Sequence, residues 1–63
     1  MSKWIGVVQH DFDTGERLGE TLINLDNATV IKVTENVIEF NSGSAIKINN
    51  GSMETLIEYI DYM

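Results

Sequence analysis

Cysteine and proline are both absent from this chain of 63 residues. Without cysteine there is no disulfide, no thiolate catalysis and no cysteine-ligated zinc site. Without proline there is no residue of the kind that marks a stiff linker. A chain of this length forms one small domain, which buries only about 60% of the surface that its unfolded form exposes. We therefore expect a single domain over residues 1–63 with marginal stability of its own.

Basic residues are also scarce. The chain has four lysine and arginine residues and ten aspartate and glutamate residues, which give a net charge of −6. So few cations cannot neutralise many phosphates, which disfavours direct nucleic-acid binding. No apolar run approaches the roughly 20 residues that span a bilayer, and the residues after Met1 do not form a secretory signal. We expect a cytoplasmic protein without a cofactor, a membrane partner or a nucleic-acid partner.

Apolar residues make up 43% of the chain, enough for a core, and they fall into short segments separated by turn residues such as Asp13-Thr14-Gly15. These segments predict five strands over about 3–12, 17–25, 28–34, 37–40 and 45–48. Strands joined by short turns pair antiparallel. In the first strand Gly6 predicts a bulge or a close backbone approach.

The last segment predicts a helix over about 53–62. Met53, Leu56, Ile57 and Ile60 recur at helical spacing and form one apolar stripe. Ser52 is the predicted N-cap. Because a helix of about 11 residues is too short to be stable alone, its stripe must pack on the sheet. The predicted fold class is α+β, a small antiparallel sheet with one amphipathic carboxy-terminal helix on one face.

A single helix covers only one face of such a sheet. Ile5, Val7 and Val30 predict apolar area on the second face. Small proteins often cover such area by self-association. We therefore expect a homodimer with these three residues at its interface, formed either face to face or by pairing of edge strands.

His10, Asp11 and Asp13 are the residues whose pattern comes nearest to a metal site. A calcium loop starting at Asp11 needs oxygen ligands at its fifth and twelfth positions, and these are Gly15 and Leu22. A hairpin turn explains the same residues. No nucleophile or second base accompanies the single histidine, so we expect neither metal binding nor catalysis.

Two sets of surface residues have two interpretations each. Glu54, Glu58 and Asp61 line one face of the predicted helix. That face is either a solvated surface that keeps a small protein dispersed or a patch that occupies a basic, nucleic-acid-binding groove on a partner protein. Trp4 and Tyr62, near the two ends, either anchor a partner or close the edge of the core.

The later part of the chain carries one strand, a turn with glycine, a second strand and a short helix, in that order. Its residues are Ile23-Asn24-Leu25-Asp26, Ile31, Val37-Ile38-Glu39-Phe40, Ser42-Gly43-Ser44 and the segment from Ser52 to Ile60. Residues 24–60 resemble the small flagellar accessory proteins of the FlbD/SwrD type. The resemblance includes no catalytic motif and implies an accessory or regulatory role in flagellar function. The first 20 residues depart from the family, which has a shorter first strand and an Asn-Gly turn.

Taken together, these features predict a non-catalytic protein-binding module. Its small size and acidity are typical of inhibitors, encoded by phages or mobile elements, that act on a host protein involved in defence or nucleic-acid processing. Such an inhibitor would act as a homodimer that occludes a surface of its partner. The alternative is the flagellar accessory role that the resemblance implies.

Overall fold

The protein is described by a computed structural model that covers residues 3–60. Its elements are β1 (Trp4–His10), β2 (Arg17–Asn24), a 3-10 turn (Leu25–Asn27), β3 (Ala28–Lys32), β4 (Val37–Phe40), β5 (Ala45–Ile48) and α1 (Asn50–Ile60). The predicted α+β class is confirmed: five antiparallel strands form one sheet, and a single helix follows them. β1 and β3 each end two residues earlier than the sequence predicts, at His10 and Lys32.

The sheet has the strand order β2-β1-β5-β4-β3. Its two edge strands, β2 and β3, are consecutive in the chain and are joined only by the 3-10 turn. In a flat sheet, edge strands four spacings apart would lie roughly 19 Å from each other. A turn of three residues that rises about 2 Å per residue cannot cover that distance. The sheet therefore curls, which gives it an inner and an outer face.

The inner face and the helix together form the core. Six side chains are buried there: Val7, Ile23, Ile38, Ile48, Met53 and Leu56. Val7 is only 1% exposed, and Ile5 packs against this cluster from the same face of β1. The expectation that Ile5 and Val7 lie on the uncovered face is therefore wrong. β1 is apolar on both faces, and α1 covers the face that carries Ile5 and Val7.

The start of the helix also differs from the prediction. α1 begins at Asn50, and its N-cap is Asn49, whose side-chain Oδ1 accepts a hydrogen bond from the Ser52 backbone N–H at 2.7 Å. The Asn49 carbonyl accepts a second one from the Met53 N–H at 3.0 Å. The Ser52 hydroxyl is engaged elsewhere, because it accepts a 2.8 Å hydrogen bond from the Val8 backbone N–H. Ser52 thus joins the helix to β1 instead of capping it.

The bulge in the first hairpin lies in β2 and not at Gly6. Gln9 pairs with Gly19 and His10 pairs with Arg17, so Leu18 has no partner in β1. Gly19 has a φ of 120°, a conformation that favours glycine and fits a bulge. Gly6 instead lies opposite Leu22 in a regular part of the ladder.

Candidate protein-binding surfaces

Trp4 and Leu22 lie on the outer face, where β1 and β2 pair. Trp4 is opposite Asn24, and Leu22 is opposite Gly6 two rows along the ladder, which is the next pair on the same face. The two side chains are 58% and 71% exposed, respectively. Both line an open cleft of about 300 Å³. We call Trp4 and Leu22 the outer patch.

Glycine at position 6 leaves the side of Leu22 uncovered. A Cβ at this position would lie 3.6 Å from Leu22 Cδ2, which is ordinary van der Waals contact. With a hydrogen in that place, Leu22 stands beside exposed backbone. This arrangement, together with the position of β2 at the edge of the sheet, leaves Leu22 the most exposed large apolar side chain in the described part of the protein.

The cleft beside the outer patch combines apolar and neutral polar groups. Phe40 contributes a half-buried aromatic ring. The polar contributors are Asn24, Asn27, Asn41 and Ser42. One oxygen, Oδ1 of Asn24, is already engaged because it accepts a hydrogen bond from the Asp26 N–H at 3.0 Å. An apolar centre with a rim of neutral hydrogen-bonding groups is the usual composition of a protein–protein contact.

The predicted acidic helix face is present at its first two positions. Glu54 and Glu58 are exposed on α1, one helical turn apart, whereas Asp61 lies outside the described residues. Across residues 3–60 the one ion pair joins Lys32 to Glu39 at 3.1 Å. Within that range, therefore, neither Glu54 nor Glu58 is neutralised by a neighbouring cation.

The residues nearest to a metal-site pattern are organised as a turn. The Asp11 carboxylate accepts hydrogen bonds from the backbone N–H groups of Asp13 at 2.7 Å and Thr14 at 3.0 Å. Those bonds, with Thr14 contributing most, hold the pKa of Asp11 below its ordinary value of 3.8. The His10 Nδ1–H donates to the Gly15 carbonyl at 2.9 Å. No group of three metal-ligating side chains occurs in the part of the chain that the structure describes.

A second cleft, of about 280 Å³, lies where the end of α1 meets the 3-10 turn. Its apolar lining includes Tyr59 and Ile60, both of which are substantially exposed. Lys3 and Asp26 contribute charges of opposite sign to the lining. Tyr62, the second predicted aromatic anchor, lies outside the described residues.

The predicted dimer-interface residues are separated by the fold. Val7 is in the core and Ile5 is half-buried beside it, whereas Val30 is exposed on β3. Sequence reasoning identified Trp4 but missed Leu22 as a surface residue. The exposure of Leu22 could be inferred from the missing side chain at Gly6, which lies directly opposite it. That pairing, however, is known only when the hairpin register is known.

Within residues 3–60 no helix combines the length and the apolar character needed to cross a membrane. In comparisons with protein-family models, curated proteins and solved structures, none matches this chain.

Proposed function

We propose that this chain is a cytoplasmic, non-catalytic protein-binding module that inhibits a partner protein by covering part of its surface. The observation that carries the proposal is the outer patch, in which Trp4 and Leu22 are both more than half exposed beside one cleft. Contiguous exposed apolar side chains mark interaction sites in soluble proteins. Tryptophan is among the residues that most often dominate binding energy.

The charge of the chain indicates what kind of partner it meets. A net charge of −6 on so small a protein attracts basic surfaces and speeds encounter with them. Basic surfaces are typical of proteins that hold nucleic acid, because they neutralise phosphates. We therefore propose a nucleic-acid-processing or defence protein of the host as the partner, and a phage or mobile element as the source of the inhibitor.

The two surfaces have different tasks in this proposal. α1 covers the inner face of the sheet, so Glu54 and Glu58 lie on the other side of the molecule from the outer patch. One flat partner surface cannot contact both sides at once. The outer patch is therefore the contact, and the glutamates act at longer range by steering the approach.

Affinity capture from a lysate of the source organism, followed by mass spectrometry, tests the proposal. The informative variant is Trp4→Ala, and the matched control is Phe12→Ala. Phe12 is an aromatic side chain of similar exposure, but it lies in the turn between β1 and β2. The parent and the control should enrich the same basic protein, and Trp4→Ala should lose it.

The identity of the captured protein separates the two proposed biological roles. A nuclease, polymerase or other nucleic-acid-processing protein supports inhibition of a host. A flagellar component supports the accessory role that the resemblance of residues 24–60 implies. Equal capture of one protein by the parent and by Trp4→Ala would contradict the assignment of the outer patch as the binding surface.

A further inference from the structure

β2 is an edge strand, and its free edge has backbone groups available for pairing. The Leu25 N–H donates to the Lys3 carbonyl at 2.8 Å, so these two residues form a hydrogen-bonded pair across the hairpin. Hydrogen-bonded and non-hydrogen-bonded pairs alternate along an antiparallel ladder. The backbone groups of Glu20, Leu22 and Asn24 therefore point away from β1. Asn24 also caps the 3-10 turn, whose first i→i+3 hydrogen bond uses the Asn24 carbonyl. Within residues 3–60, the outward groups left for pairing are therefore the N–H and C=O of Glu20 and Leu22 and the N–H of Asn24.

The other edge of the sheet is less suited to pairing. β3 has five residues, and its register shifts between Ala28 and Val30, so Thr29 lies opposite no residue of β4 in the ladder. β3 also carries Lys32. A short strand, a bulge and a lysine are all devices that protect an edge from pairing with another chain. By contrast, β2 is regular from Gly19 to Asn24.

We propose that two copies of this chain pair through their β2 edges, antiparallel, about a twofold axis at Leu22. In this register Leu22 lies opposite Leu22 of the second copy, and Glu20 lies opposite Asn24 of the second copy. The free outward groups then form about four hydrogen bonds between the copies, two between the Leu22 residues and one from each Asn24 N–H to the Glu20 carbonyl of the other copy. The proposal concerns self-association alone and does not depend on the function proposed above.

The choice of register follows from the side chains on the outer face. Centring the axis at Glu20 would place two carboxylates directly opposite each other, which is destabilising. Centring it at Thr21 would place each Glu20 opposite an apolar Leu22. The register centred at Leu22 instead gives an apolar pair at the axis and a carboxylate beside an amide donor on either side.

A second copy of this chain is favoured over a strand from a different protein because the β2 edge is complementary to itself. The same three residues meet in both directions, so the contact closes as a dimer and leaves no β2 edge free. Pairing of β2 with β3 of another copy would instead leave one unpaired edge at each end and extend without limit. In the closed dimer the two outer patches lie side by side on one continuous outer face.

Light scattering behind a sizing column gives the first measurement. A dimer has twice the chain mass of 7.1 kDa. Because each copy carries a charge of −6, added salt should strengthen the dimer by screening the repulsion between the copies. A monomer at every concentration up to about 1 mM, a range that includes the affinities of weak complexes, would overturn the proposal.

Disulfide trapping tests the register, and a chain without cysteine is well suited to it. Leu22→Cys places two thiols in a hydrogen-bonded pair with Cα atoms about 5.5 Å apart, within the range of a disulfide. Leu18→Cys is the matched control, because it changes an exposed leucine of the same strand whose copies would lie roughly 25 Å apart.

Under mild oxidation the covalent dimer of Leu22→Cys should form on the order of 100-fold faster than that of Leu18→Cys, since paired thiols meet at millimolar effective concentration. Equal rates for the two variants would overturn the proposed register. A parent dimer in which Leu18→Cys is trapped faster than Leu22→Cys would also contradict pairing at Leu22.

Discussion

The Ser52 hydroxyl and the Val8 backbone N–H are joined by a 2.8 Å hydrogen bond between residues 44 positions apart in the chain. The ladder between β1 and β5 ends where Gln9 pairs with Ile48, and the Asn49 N–H then donates to the Val8 carbonyl at 3.1 Å. The Ser52 hydroxyl accepts from the N–H of the same residue, Val8. The first turn of the helix thus continues the hydrogen bonding between β5 and β1, and these bonds fix where α1 starts to pack on the inner face.

Ser52→Ala should lower the free energy of unfolding by about 1–2 kcal/mol, because it leaves the partly buried Val8 N–H without an acceptor. Urea denaturation measures the change. Ser44→Ala, in the exposed turn between β4 and β5, is the control and should change stability by less than about 0.5 kcal/mol. Equal effects of the two substitutions would show that the contact between Ser52 and Val8 contributes nothing to the fold.

Leu56→Ala should destabilise the protein by about 2–5 kcal/mol, because Leu56 is fully buried between the helix and the sheet. That loss is a large share of the roughly 5 kcal/mol available to a domain of this size. Thermal or urea unfolding provides the measurement, with Leu18→Ala as the exposed counterpart. A Leu56→Ala protein as stable as the parent would mean that α1 does not dock on the inner face.

The elements of the fold could be predicted from the sequence because each carries a local signal. Turn residues separate the strands, and the helix has an apolar stripe at regular spacing. The assignment of faces could not be predicted in the same way. Trp4 and Val8 alternate with Ile5 and Val7, so both faces of β1 are apolar. Only the path of the chain after β5, which brings α1 over Val7, decides which face becomes the core.

The candidate site was only partly predictable for a similar reason. Trp4 and the first two acidic helix positions could be inferred from residue type and spacing. Leu22 required the register that places it opposite Gly6. The curl of the sheet, which brings Phe40 and Asn41 to the cleft at Trp4, depends on the short connection between β2 and β3 and has no signal in either strand.

Acid should weaken the turn around Asp11. The hydrogen bonds from the Thr14 and Asp13 N–H groups lower the pKa of this carboxyl in the folded state, so it binds a proton more readily when unfolded. Its contribution to stability is therefore complete above the unfolded pKa, near 3.8, and is lost as pH falls through the lower folded pKa.

Two measurements check this behaviour. The Asp11 carboxyl carbon, followed by NMR, should titrate with a midpoint below 3.8. In Asp11→Asn the side-chain oxygen still accepts both hydrogen bonds but does not titrate, so this variant should lose less stability between pH 5 and about pH 2 than the parent. A midpoint at or above 3.8 in the folded protein would contradict the role of these hydrogen bonds.

Reversing Glu54 and Glu58 to lysine should slow association with the captured partner and leave its dissociation nearly unchanged. The two carboxylates are exposed on α1 and are not part of the outer patch, so the proposed steering changes the encounter and not the contact. The association and dissociation rates of the parent and the variant are measured on an immobilised partner at low and at high salt. Steering predicts that the difference between parent and variant shrinks as salt rises. Identical association rates at low salt would show that this helix face is only solvated.

The proposed function requires that the outer patch contributes to binding and not to folding, and partner capture by Trp4→Glu is the sharpest check of this requirement. Trp4 is 58% exposed, so this variant should unfold at nearly the same urea concentration as the parent, whereas Val7→Glu, which places a charge in the core, should unfold. Folded Trp4→Glu should lose the partner that the parent captures. Capture of that partner by Trp4→Glu at the parental yield would mean that the outer patch is not the contact.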